Sequence, residues 1–419
     1  MSIANKNFRD LEPDEFIECF LKTRHETIKT LKIFRNNLGS ELRIPNIKEA
    51  NLPIWEFCHV GWFYERWIIR NTRCSFYKND DLFIDWDNFC SSRTHFKDAD
   101  SIFDSSKIEH DARWDCKLPT FYETLDYLQK IRDAVIEKIE INSPGTNEAF
   151  YFYKLSLAHE MMHLEAFKMT AQILNFEIPG LKSKYLNLDC SSESPFLSFN
   201  EQTISPYYEN YAFHFDNEIF NGETAVKPFK IQSSCVSLKS FLEFLLSDDF
   251  LNASFWSKEG KIWLSKSFYK KSFYKNIKKE FTKITDMDSE FVRIKWFGKD
   301  ENLRLNLPAL HVSFYEAEAY AKWIGMRLPT ELEWLLASQN TNFHWGDVWE
   351  WTSNTFSEFP DFVPHPYKDY SKPWFDGQHK TVKGASFATC ENFRNLHFRN
   401  FYKPNRTDVF SGFRTACFV

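Results

Sequence analysis

The apolar residues of roughly the first 180 positions recur at helical spacing, and after about residue 185 that rhythm stops. From Asp14 to Leu38 the apolar positions Phe16, Phe20, Ile28, Leu31 and Phe34 trace one stripe of a helix. Pro53 suits a first helical turn and opens a second helix through Trp55, His59, Trp62 and Trp67. A polar connection, Asn79 to Asp115, separates it from a third helix that starts at Pro119. That helix carries Phe121, Leu125, Leu128, Val135 and Ile139 and stops at Ser143-Pro144-Gly145. A fourth helix runs from Asn147 to Phe176 and is closed by Pro179-Gly180. The pattern predicts an up-down four-helix bundle, an architecture that builds metal sites from facing side chains. Beyond it, short aromatic segments alternate with Ser, Asn, Pro and Asp clusters. Only two helices are expected there: Ser237 to Leu246, and one capped by Ser313 with Glu316 that runs to Trp323. The chain therefore reads as a bundle over residues 1–182 and a compact, loop-rich α+β domain over residues 190–419.

Composition narrows the class. The chain has 44 Phe, 14 Trp and 17 Tyr against only 12 Gly, which excludes a disordered, collagen-like or linker-rich protein. A net charge of −6 argues against a partner that is nucleic acid or an anionic membrane. Lys266 to Lys283 holds seven lysines opposed only by Glu280, and it reads as a solvated hairpin or loop. Nine scattered cysteines without a Cys-x-x-Cys pair suggest neither a disulfide framework nor a zinc knuckle, and free thiols fit a reducing cytosol. Met1 to Glu12 lacks the apolar core of a signal peptide, and no apolar run reaches membrane-spanning length. The expectation is a cytoplasmic protein, monomeric or homodimeric.

His159-Glu160-Met161-Met162-His163 lies inside the fourth helix. Side chains four apart share a helix face, so both imidazoles can reach one metal. Three readings stay open on spacing alone. The histidines pack or face solvent; or His-Glu-x-x-His is a zinc hydrolase motif with Glu160 as general base; or a third ligand from another helix completes an iron site. His59, among the aromatics of the second helix, is the natural third ligand, although a lone histidine in such surroundings is more often a satisfied core residue.

Trp55, His59, Trp62 and Phe63, followed by His159, His163 and Glu165, resemble the ligand segments of the non-heme iron family that includes EgtB, OvoA and SenA. The likeness continues through Phe215-Asp216-Asn217-Glu218, Phe255 to Gly260, His311 to Tyr320, Arg327 to Trp334, Gly346 to Thr352 and Gly412-Phe413-Arg414. It implies a DinB-like four-helix bundle followed by a C-type-lectin-like, formylglycine-generating-enzyme (sulfatase-modifying factor) domain. It also implies Fe(2+) held by His59, His159 and His163, with Glu165 orienting a ligand imidazole. Tyr367 aligns with the family's active-site tyrosine. Asn400 and Phe401 would hold a betaine substrate, and Arg406 the carboxylate of a sulfur donor. Tyr402 replaces an aspartate that contacts the thiol in γ-glutamylcysteine-using members, and Met162 replaces a substrate-binding glutamine.

Those two departures speak against γ-glutamylcysteine as donor, and the segments Trp55 to Phe63, Asp104-Ser105-Ser106 with Arg113-Trp114, and His159 to Phe167 resemble the SenA branch. The implied reaction joins selenium from a selenosugar to the imidazole C2 of hercynine with O2 as oxidant. The alternative is an EgtB-type reaction with γ-glutamylcysteine or cysteine as thiol donor, and histidine as the other possible imidazole. Cys390 and Cys417 do not sit in the cysteine motif of formylglycine-generating enzymes, so that activity is not expected. Glu160 is expected to be structural.

Overall fold

The computed structural model describes residues 6–73, 89–142, 147–190, 194–205, 213–271 and 290–419. Helix α1 (Pro13–Leu38) begins with proline in its first turn and a capping box between Glu12 and Glu15. Helix α2 (Pro53–Tyr64) continues into a π-helical turn, Glu65–Ile69, so Trp67 sits beyond the α-helix proper. A short helix α3 (Ala99–Ile102) interrupts the polar connection. Helices α4 (Phe121–Asn142) and α5 (Asn147–Ile173) complete the bundle, in which α1 packs on α4 and α5, and α2 on the same pair. Every residue of α2 is buried, so it forms the centre of the bundle rather than a face of it. Gly61 permits this: a Cβ there would meet the Tyr127 ring of α4 at 2.7 Å.

After α6 (Leu181–Leu186) the chain turns to short strands. β1 (Phe196–Phe199), β4 (Phe229–Gln232) and β11 (Ala416–Phe418) form an antiparallel sheet in the order β1-β4-β11. β2 (Gln202–Ile204) pairs with β3 (Thr224–Val226), and β5 (Phe291–Trp296) with β6 (Lys299–Arg304). The four-stranded sheet that reaches the site is ordered β10-β7-β8-β9, from β7 (Trp349–Thr355), β8 (Lys380–Gly384), β9 (Asn400–Tyr402) and β10 (Ser411–Gly412).

Two expected helices are present here, α7 (Leu238–Leu246) and α9 (Phe314–Trp323), the latter with the Ser313–Glu316 capping box formed. Two more were not foreseen: α8 (Lys258–Lys271) and α10 (Glu331–Ser338). The second starts from a capping box of Thr330 and Glu333, the same signal that announces α9. The lysine-rich stretch 266–283 begins inside α8, which corrects the hairpin reading there; residues 272–283 lie outside the described residues, as does Ser143-Pro144-Gly145.

The two parts are joined by one continuous apolar core. Residues 8–10, ahead of α1, pack on the second part: Phe8 stacks on Phe393, and Arg9 makes two 2.7 Å bonds to the buried Glu218. Buried ion pairs fix the second part internally, Arg414 with Glu350 and Arg399 with Glu331. A buried carboxylate left unpaired is costly, so such pairs hold strand and loop registers in place. Trp334 donates to the same Glu350 at 2.8 Å, which gives the Arg327 to Trp334 segment a structural use. Among the described residues no helix is long and apolar enough to cross a membrane.

Candidate metal centre and its cavity

His59 on α2 and His159 and His163 on α5 converge, with their ligand atoms all within 4.8 Å of one another. Helix periodicity explains the pair on α5, and the α2–α5 packing brings in the third. The proton positions follow from the partners. His59 Nδ1 lies 2.7 Å from the Phe103 carbonyl, which can only accept, so Nε2 carries the lone pair. His163 Nδ1 lies 2.6 Å from the Glu56 carboxylate, which accepts its proton and leaves Nε2 as the nitrogen turned away from Glu56. His59 Nε2 approaches His159 Nε2 to 3.0 Å. Burial, reinforced by the neighbouring His163, holds His59 and His159 well below the usual histidine range, so both are neutral at physiological pH. Neutral imidazoles aimed at one point are the donor set of a divalent transition metal, and the residues fit iron(II) in that role.

The walls of the cluster are aromatic. Trp55 stacks on His59 (ring centroids 5.0 Å apart) and Phe63 on His159 (3.7 Å). Trp55 Nε1 donates to Ile102 at 2.6 Å and Trp62 Nε1 to Asp100 at 2.7 Å, so the α3 segment braces the helix that carries His59. Tyr367 closes the site from the second part, its ring 4.9 Å from Phe63 and 6.2 Å from His159. Burial, then the nearby Asp369 and Asp104, raises its phenol above the usual tyrosine range, so it stays protonated.

A cavity of about 500 Å³ opens from the three histidines and is lined by both parts of the chain. Met162, Glu165, Tyr367, Asn400, Tyr402 and Arg406 all reach it. Two of the expected roles are not met, those of Glu165 and Phe401. Glu165 does not touch a ligand imidazole. It accepts from Trp349 Nε1 (2.7 Å), Ser386 Oγ (2.6 Å) and Thr389 Oγ1 (2.6 Å), and so clamps α5 to the second part. The orienting carboxylate is instead Glu56, which is buried and was not foreseen as a site residue. Its signal was there: a lone acid between Trp55 and Phe57 in a wholly apolar turn needs a partner.

Phe401 does not line the cavity. Side chains alternate along β9, so Asn400 and Tyr402 face the cavity while Phe401 stacks on Phe356 at 4.2 Å. Tyr367, Tyr370, Trp374 and Tyr402 are among the aromatic residues that the second part contributes to the cavity. Arg406 lines the cavity and is paired with Asp408: Nε lies 2.6 Å from Oδ1, and Nη2 bonds Oδ2. Asn400 Nδ2 donates to the Tyr402 hydroxyl at 3.1 Å.

Glu160, next to His159, faces the other way. It bonds Arg24 at 2.8 and 3.1 Å and accepts from Thr27 at 2.7 Å, all three groups being buried. It is not among the cavity-lining residues, so the His-Glu-x-x-His pattern lacks a base aimed at the cluster.

Known proteins share parts of this chain. It is 32% identical over 165 residues to a protein named hercynine oxygenase from Mycobacterium tuberculosis, a match covering 29% of this chain and 39% of that protein. It is 25% identical over 268 residues to ergothioneine biosynthesis protein 1 of Schizosaccharomyces pombe, covering 56% of this chain and 31% of the other. A 48-residue stretch is 48% identical to the formylglycine-generating enzyme of Streptomyces coelicolor, covering 10% of this chain and 15% of that one. In each case the match spans well under two thirds of the relative. Residues 206–347 and 342–418 match the family described as the sulfatase-modifying factor enzyme 1-like domain. With half of its length inside that match, and α7, α9, α10 and the four-stranded sheet as its frame, the chain belongs to the sulfatase-modifying factor enzyme 1-like family.

Proposed function

We propose that this protein is an iron(II)- and O2-dependent enzyme that joins a chalcogen to the imidazole C2 of hercynine, as in selenoneine or ergothioneine biosynthesis. The observation that carries the reading is the triad His59, His159 and His163 at the floor of a cavity that the second part of the chain completes with Tyr367. The relatives named hercynine oxygenase and ergothioneine biosynthesis protein 1 support the substrate class. The paired, inward-turned Glu160 weighs against a zinc hydrolase.

In the overall reaction the C2–H and chalcogen–H bonds are lost and a carbon–chalcogen bond forms. One oxygen atom ends on the chalcogen and the other in water, so one O2 accepts four electrons. Iron(II), when bound, supplies the redox partnership with O2. The chain's own groups do the rest. Phe103 and Glu56 fix the imidazole protons so that the lone pairs face inward. Trp55, Trp62 and Phe63 keep water off two of the rings. Tyr367, held protonated by burial, places a donatable proton beside the reacting centre. Holding both substrates in one cavity replaces a bimolecular encounter with an oriented one.

For the donor, a selenosugar is the first reading, because Tyr402 and Met162 stand where thiol-using relatives of this type carry an acid and an amide that contact the substrate. A thiol such as γ-glutamylcysteine or cysteine is the second. The test is turnover after anaerobic loading with iron(II), then air, with hercynine or histidine offered beside each donor. Mass spectrometry is expected to find a C2–selenium adduct of hercynine. Consumption of no pair would overturn the proposal, and a sulfur adduct alone would reassign the donor.

A further inference from the structure

We infer that Asp216 is a positioning residue for Tyr367: its carboxylate closes both ends of the loop 365–371 that carries the phenol into the cavity. The inference deepens the proposed function and rests on it for what Tyr367 does, though not for how Tyr367 is held.

The loop forms one tight turn in the cavity wall. The Tyr370 amide donates to the Tyr367 carbonyl at 3.3 Å, and the Ser371 amide to the Lys368 carbonyl at 3.1 Å. Tyr367 and Tyr370 both line the cavity, with their ring centroids 6.2 Å apart. Such internal bonds give the turn its shape but not its place. Asp216, which is 3% exposed, reaches both ends of it. Oδ2 accepts from the His365 amide at 3.2 Å, and Oδ1 accepts from the Ser371 hydroxyl. Asn217 Nδ2 donates to the same Ser371 Oγ at 2.9 Å, so the single hydroxyl proton is left for Asp216. Both loop groups therefore present donors, and the side chain at 216 must accept twice. A carboxylate does so, whereas an amide would set its NH2 group against one of the two donors.

The segment 215–218 that carries this carboxylate is itself anchored. The Asn217 carbonyl accepts from Arg399 at 2.7 Å, and Glu218 holds Arg9 at 2.7 Å. Phe215 packs on the Tyr370 ring at 4.9 Å. At the start of the loop the Tyr151 hydroxyl lies 3.2 Å from His365 Nδ1, and Tyr151 belongs to α5, the helix of His159 and His163. The Tyr367 ring is thus set against the histidines through Asp216 on one side and α5 on the other. A reactive group on a loop is only as well placed as the residues that support it.

The test places 3-fluorotyrosine at position 367 of the full-length protein and reads its 19F signal before iron is added. The readout is the displacement of that signal from its position in urea, which comes from packing against Phe63 and Trp67 and needs no turnover. Asp216→Ala is expected to move the signal toward the urea position or to split it, and Asp216→Asn, which misfits one donor, to do so in part. Glu316→Gln breaks the buried capping box of α9 and serves as the control for lost stability; it should leave the signal where it is. In the iron(II)-loaded protein, Asp216→Ala should keep the wild-type iron affinity in chelator competition. Admitting air, it should form the C2 adduct about 10- to 100-fold more slowly than the wild type. In a Tyr367→Phe background the same substitution should cost nothing further, because the two residues act as one. An unmoved signal in Asp216→Ala, an equal movement in Glu316→Gln, or losses that add in the double variant would overturn the inference. Failure of the proposed reaction is seen separately, as absence of any C2 adduct from the wild type, and the 19F comparison then still decides how Tyr367 is held.

Discussion

At the scale of single residues, the site depends on where a few protons and charges are held. Glu56 fixes the His163 tautomer at 2.6 Å, the arrangement in which a carboxylate raises ligand basicity. Glu56→Gln is expected to weaken iron(II) binding about 10- to 100-fold, read by competition with a chelator, while leaving the helix content unchanged. Tyr367→Phe removes the phenol proton but keeps the ring against Phe63. Iron binding should persist in that variant, and formation of the C2 adduct should fall at least about 100-fold, as for loss of a general acid. Asp216 tests the pH account. Burial raises its carboxyl to about 7, despite hydrogen bonds from Ser371 and the His365 amide. The native state therefore binds this proton more tightly than the unfolded chain does. Its contribution to stability is complete below about pH 4 and is lost as pH rises through about 7. Between pH 5 and 8 the unfolding free energy should fall more steeply in the wild type than in Asp216→Asn, measured by urea denaturation.

Among the residues, spacing alone made His159 and His163 a candidate pair, and the resemblance added His59, which the α2–α5 packing brings to the same cluster. Asn400 and Tyr402 were legible as cavity residues through the resemblance. Phe401 was misplaced because its neighbours' role was carried across without the two-residue period of β9. Arg406 was legible only through the resemblance, and its pairing with Asp408 two positions on was not foreseen. Glu165 could not have been read at all, since its three donors come from residues 349, 386 and 389.

At the scale of elements, α2 and α5 are held at fixed distance by features outside the ligand motif. Gly61 lets the Tyr127 ring press against α2, so Gly61→Ala forces a shift of the helix that carries His59. The expected cost is about 1–3 kcal/mol, with weakened iron binding that follows from displacement of His59 rather than from its loss. Differential scanning calorimetry and chelator competition check the two parts. On the other side, Glu165 ties α5 to β7 and to the 386–389 loop. Glu165→Gln leaves buried donors poorly matched and should lower stability by about 1–3 kcal/mol in urea denaturation. The four bundle helices were legible from apolar spacing and proline starts. Helix α10 was overlooked although its Thr330–Glu333 box repeats the signal of α9, because the segment was read as a motif rather than as a helix start.

At the scale of the whole molecule, the bundle holds the donor set and the sulfatase-modifying factor enzyme 1-like part closes the cavity over it. The aromatic load has its place in this arrangement. Phe8, Phe213, Phe393 and Phe398 fill the seam between the parts, and Trp55, Trp62, Phe63 and Tyr367 surround the histidines. The scarcity of glycine is also less odd: left-handed turns at Leu42, Asp98, Asn175, Phe297, His311 and Asp361 are made by other residues. The overall division of the chain was legible from the change of pattern near residue 185. How the two parts meet was not, because the contacts join residues hundreds of positions apart, as Arg9 and Glu218 do. The central claim is that His59, His159 and His163 together hold one iron. Iron content after anaerobic loading and desalting, in the wild type and in the three single His→Ala variants, tests it directly. The account predicts about one iron per chain in the wild type and near none in each folded variant; a His59→Ala protein that keeps its full iron content would contradict it.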